Sequence, residues 1–371
     1  MMDALADIPA VDGHAHPLKL PPRSLEANEF RYLFTEARRE PGRVVETVFY
    51  RWAVRELAEV LGLEVSENFP ELETAVLSTR ASDPTGYARR LFAEANLEAL
   101  LLDTGYGGGG TLEEHEALLQ GRVFEIKRVE SVAERLLTEA GSAAELLAMV
   151  EESLLGAESA RGFKTVAAYR GGLTVQLDST AEDTERAFEA EKVAPEVRIR
   201  RPALLGALLL VASKVASRTG KPLQVHTGFG DEDLDLPGAN PALLKPLLEH
   251  PLAAGARIVV LHTYPYTRQA GWLASLYPNV FLDLSLAIPL TAHAAENLLS
   301  EALELAPWCQ LLYASDGFIG PELFFLGARR FRQALRGTLE DLSRRRFLSG
   351  SEVEDLAEAV LRGNAREIYA V

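Results

Sequence analysis

The run from Lys221 to Tyr266 decides the fold. It reads KPLQVHTGFGD (221–231), an acidic loop, NPALLKPLLEH (240–250) and ARIVVLHTYPY (256–266). Two short apolar runs flank a segment with leucines at helical spacing, and each run ends on a histidine, His226 and His262. Strand, helix and strand in succession favour a parallel pair joined by a crossover. An imidazole at the exit of a buried strand is out of place in a core and suits the end where such folds put their chemistry.

The same alternation extends in both directions. Further strand candidates are Ile8–Gly13, LEALLLDTG (97–105), RVFEIKRVE (122–130), GFKTVAAYR (162–170), NVFLDLS (279–285) and CQLLYASDGF (309–318). Together with the first two they make eight, mostly separated by helix-length segments. Eight such units predict an α/β chain folded as a (β/α)8 TIM barrel. An open doubly wound sheet is the other architecture, but no early strand is followed by a glycine-rich nucleotide fingerprint. GYGGGG (105–110) reads instead as a loop at the rim of a site. Residues 24–96 read as a helical insertion or lid after strand 1, within a single domain spanning 1–371. Its VFYRWAVRELAEVLGL segment (48–63) carries apolar residues at helical spacing.

Composition narrows the function classes. Among 371 residues, 38 Lys and Arg face 54 Asp and Glu, a formal charge of −16. That balance opposes nucleic acid and anionic membrane surfaces as partners. The single cysteine, Cys309, excludes an intrachain disulfide and fits a reducing compartment. The first nine residues lack a basic n-region, and the longest apolar run, 203–212, is too short to span a bilayer. The expectation is a cytoplasmic enzyme for a small molecule, with a homo-oligomer left open.

Polar residues concentrate where the strands end. His14 and His16 leave strand 1 one residue apart, so both point to one side. Asp103 ends strand 2, Arg128 lies near the end of strand 3 and Arg170 ends strand 4. His226, His262 and Asp316 follow strands 5, 6 and 8. Neutral imidazoles converging with a carboxylate suit a divalent cation. The remaining histidines, His115, His250 and His293, read as solvated.

These residues resemble the amidohydrolase superfamily of metal-dependent barrels: His-x-His on strand 1, His on strands 5 and 6, Asp on strand 8, and a closing GNAREIY (363–369). The likeness extends to the aminocarboxymuconate-semialdehyde decarboxylase-like ("amidohydrolase 2") branch. It is nearest to amidohydrolase-like domains fused to glutamine synthetase-like domains, through GFKTVAAYRGGL and QVHTGFGDEDLDL. The resemblance implies that His14, His16, His226 and Asp316 hold one divalent ion, with zinc favoured over manganese or iron. His262 would then polarise substrate or exchange a proton, and Asp316 would also accept the proton of a metal-bound water. Asp103 would orient a ligand histidine. Binuclear relatives bridge two ions with a carboxylated lysine on strand 4; Lys164 stands early in that strand, which favours a single ion.

Three functions follow from this reading. The first is a hydrolase using metal-bound hydroxide on an amide or related C–N bond of a small carboxylate, with Arg170 and Arg128 gripping the acid. The second is a non-oxidative decarboxylase with the same ligands. The third is a metal-binding barrel without catalysis.

Overall fold

The computed structural model describes residues 4–37, 40–106 and 109–371. Eight strands lie in one sheet in sequence order: β1 (Ala10–Ala15), β2 (Leu97–Asp103), β3 (Arg122–Arg128), β4 (Gly162–Thr165), β5 (Leu223–His226), β6 (Ile258–Leu261), β7 (Val280–Asp283) and β8 (Leu311–Leu312). Parallel registers join β1 to β2 and run from β3 through β7. With helices between them, these strands make the (β/α)8 barrel that the alternation predicts. The chain divides into two compact units, one of Met1–Phe124, Leu284–Leu303 and Leu312–Arg366, the other of Glu125–Asp283, Glu304–Leu311 and Glu367–Val371.

In the first unit the segment after β1 is helical, with helices Ala27–Arg31, Val48–Leu61, Phe69–Ser82 and Pro84–Ala95. The apolar stripe of Val48–Leu61 buries Phe49, Tyr50, Ala53, Val54 and Leu57. Tyr50 meets Phe34 edge-on, with ring centroids 5.1 Å apart, and Phe69 at 5.9 Å. A buried carboxylate needs partners. Glu73 has them: both oxygens accept from Arg31 at 2.7 Å, and the Tyr50 hydroxyl donates to one of them. Helix Pro84–Ala95 packs on Leu112–Leu119 and on the long helix Glu322–Arg344.

In the second unit helix Pro202–Thr219 packs on Ala143–Leu155 and Ala181–Lys192. It is apolar and long enough to cross a bilayer by length and composition, yet more than half of that window is buried inside the fold. Two local expectations need correction. Strand 4 stops at Thr165, because the buried Glu130 carboxylate takes the Thr165 hydroxyl and the Val166 N–H, and the chain turns into the 3-10 segment Ala167–Tyr169. The NPALLKPLLEH segment is no continuous helix but a 3-10 turn, Pro241–Leu244, and one α-turn, Lys245–Leu248. Pro241 and Pro246 lack the N–H that a longer ladder requires.

Candidate metal centre

β1 explains how two imidazoles come to one place. The whole strand is buried, with Asp12 and His14 inside it and His16 one residue past its end, and its pairing with β2 is irregular between Asp12 and Ala15. His14 Nε2 lies 3.1 Å and His16 Nε2 3.3 Å from the same oxygen, Oδ1 of Asp316. The two rings stand nearly perpendicular with centroids 5.0 Å apart. Asp316 reaches this point after β8 with a left-handed backbone, φ 56°, and its N–H donates to the His14 carbonyl at 3.0 Å. His16 N–H in turn donates to the Gly317 carbonyl at 2.7 Å. Behind His16, the buried Asp103 carboxylate sits 3.9 Å from Nδ1 and accepts from Gly105 N–H at 3.0 Å.

This donor set fits a divalent ion. The three candidate ligand atoms lie within 4.8 Å of one another, and His14 and Asp316 are buried. Donors bound at ~2.0–2.2 Å in tetrahedral geometry stand ~3.3–3.5 Å apart, close to the separations seen here. Two imidazoles and one carboxylate are also a ligand chemistry that zinc and its neighbours favour.

The second unit holds the other strand-end histidines. His226 closes β5 and His262 follows β6, and their rings lie 4.5 Å apart. His262 has φ 66°, and its N–H donates to the buried Asp283 carboxylate, at the end of β7, at 2.9 Å. A positive φ in a branched or ring-bearing residue is stored strain of the kind found at functional sites. Tyr169 tilts over His226 at 4.6 Å, its phenol oxygen accepting from Asp231 N–H at 3.3 Å.

Arg170 lies beyond strand 4, after the 3-10 turn, and pairs with Glu134 at 2.9 Å. Burial pulls the guanidinium below its ordinary pKa and pushes the Glu134 carboxyl up, against their mutual attraction. Arg128 ends β3, in register with the buried Lys164.

Residues 205–371 match the family described as Amidohydrolase. A Lactobacillus casei protein designated a metal-dependent hydrolase shares 28% identity at a TM-score of 0.89, covering 100% of this chain and 97% of that one. The chain is thus similar to amidohydrolases over residues 205–371 and to that metal-dependent hydrolase over its whole length. Protein fluG of Emericella nidulans is 38% identical over 223 residues, which are 56% of this chain and 25% of fluG. The chain thus spans about a quarter of that relative's length. Uronate isomerase of Thermotoga maritima has the same fold at 14% identity and a TM-score of 0.67, covering 99% of this chain and 96% of its own.

Several residues near these strand ends are not evident from the sequence. Asp283 ends a strand like the others and could have been found by the same rule. Tyr169 lies beyond the reach of strand alternation, because β4 ends at Thr165 and the chain turns before it. His115 is not solvated: it is buried, with Nδ1 on the Thr111 carbonyl at 2.6 Å and Nε2 accepting from Leu18 N–H at 2.9 Å. Of the glycine-rich loop, Gly107 and Gly108 lie outside the described residues.

Proposed function

We propose that this chain is an amidohydrolase, a metal-dependent hydrolase of a small, carboxylate-bearing amide or related C–N compound. The observation that carries the reading is the convergence of His14, His16 and Asp316 on one point. His226 joins them as the fourth ligand by the family pattern, and zinc is the preferred ion over manganese or iron. When bound, such an ion lowers the pKa of its water to ~7 and polarises a carbonyl.

Around it, each side chain has a task. Asp316 takes the proton of the attacking water and passes it to the leaving nitrogen. His262, held by Asp283 at its backbone, donates to the oxyanion as it develops. Asp103 orients the His16 ring, a partner of the kind that tunes ligand basicity. Arg170 and Arg128 receive the substrate carboxylate, and Lys164 stays outside the ligand set.

The test begins with elemental analysis, which should find about one divalent ion per chain. The loaded enzyme should release amine or ammonia from a panel of N-acyl acids and stop when chelated. His262→Asn should keep the metal and lose at least ~10²-fold in turnover. Carbon dioxide in place of amine would assign the decarboxylase chemistry instead; a loaded protein silent on both counts would leave the non-catalytic barrel.

A further inference from the structure

We propose that Asp12 and Ser315 form a clamp that sets the backbone of Asp316 and so aims its carboxylate at His14 and His16. The inference rests on the metal-centre reading and names two positioning residues for it.

Asp12 lies two residues before His14 in β1 and is fully buried. Its Oδ1 accepts from Ser315 N–H at 2.9 Å and, more weakly, from His14 N–H at 3.4 Å. Its Oδ2 accepts the Ser315 hydroxyl proton at 2.5 Å. The same hydroxyl oxygen accepts from Gly317 N–H at 2.9 Å. One carboxylate and one hydroxyl thereby fix the residues on both sides of Asp316.

What lies between them is the strained position. Asp316 holds φ 56°, a conformation that L-residues adopt at a cost and that persists only where the surroundings over-determine it. The backbone bonds from Asp316 N–H to His14 and from His16 N–H to Gly317 already join the two segments. Asp12 adds bonds at Ser315, which those two leave uninvolved. The far side is closed as well, since even a Cβ on Gly327 of helix Glu322–Arg344 would lie 3.1 Å from the Ser315 Cβ. Ser315 is therefore held between Asp12 and the helix, which fixes the backbone leading into Asp316.

The clamp predicts metal affinity, not merely stability. Ser315→Ala removes the hydroxyl without changing any charge; Asp12→Asn removes the charge and keeps the shape. Zinc affinity is read by competition with a chromophoric chelator, without substrate, and folding of the metal-free chains by circular dichroism and melting temperature. Ser315→Ala should bind zinc ~10- to 100-fold more weakly than the parent, the usual effect of losing an orienting partner. Asp12→Asn should do the same, and the double variant should lose no more than the worse single one, because both act through one device.

Unchanged affinity in a folded Ser315→Ala overturns the clamp, even if its melting temperature drops. Loss in Asp12→Asn alone would mean that Asp12 acts as a distant charge, which also overturns it. Fully additive losses would separate the two residues and do the same. Should Asp12→Asn not fold, Ser315→Ala decides alone. A parent chain that binds no divalent ion brings down the metal-centre reading and the clamp with it, whereas a parent that binds zinc no more tightly than folded Ser315→Ala brings down the clamp alone.

Discussion

At the scale of single residues, His115 shows how an imidazole can serve the site without facing it. Its Nδ1 proton goes to the Thr111 carbonyl and its Nε2 lone pair takes the Leu18 N–H, two residues beyond His16. Protonation would aim a second N–H at Leu18, so the ring must stay neutral, and burial accordingly lowers its pKa from 6.5. Because the unfolded chain binds the proton more readily, this contribution to stability is intact above pH ~6.5 and is lost as pH falls below it. The limiting slope for one site is ~1.4 kcal/mol per pH unit. Urea midpoints of the metal-free chain between pH 7.5 and 5.5 should thus fall less steeply in His115→Gln than in the parent; equal slopes would refute the neutral-ring account. His14, His16 and Asp316 were legible in the sequence because imidazoles and acids at strand exits have no place in a core. Asp12 was not, since a lone acid in an apolar strand names no partner, and its partner stands 303 residues away.

At the scale of elements, the eight strands and the helical run after β1 could be read because each carries its own periodicity, of two or of 3.6 residues. The end of β4 could not. It is set by Glu130, whose carboxylate captures Thr165 and Val166 from another element. Apolar periodicity is blind to such a capture, and the turn that follows brings Tyr169 to the ring of His226. Gly230 makes room for it. A Cβ there would lie 1.8 Å from the Tyr169 hydroxyl and 3.4 Å from His226 Nε2. Gly230→Ala should therefore push the phenol aside with little loss of melting temperature, because the colliding atom is the tip of a side chain. If the ring positions His226, turnover should fall by ~10- to 100-fold, the scale of a small misplacement at a reacting centre. Parent-like turnover in a folded Gly230→Ala would leave the tyrosine without a part in catalysis.

At the scale of the whole molecule, charge sets a condition that the proposed substrate must meet. The chain carries −16, a field that repels an anionic molecule at long range. Arg170 is the candidate to overcome it locally, but its guanidinium already holds Glu134 at 2.9 Å and is largely buried. The local pair is close to neutral, so it adds little attraction at a distance and acts only on contact, through the planar fork that an ammonium lacks. Salt then separates the two effects. The screening length shrinks from ~30 Å at 0.01 M to ~8 Å at 0.15 M, which removes the long-range repulsion and leaves a buried contact nearly untouched. For a carboxylate substrate kcat/KM should rise over that range, while its neutral ester stays flat. Arg170→Met should lower the acid's value at both salt concentrations and spare the ester, and Arg170→Lys should not restore it. Acid and ester responding alike to salt and to both substitutions would make Arg170 a structural partner of Glu134 and remove the case for an acidic substrate.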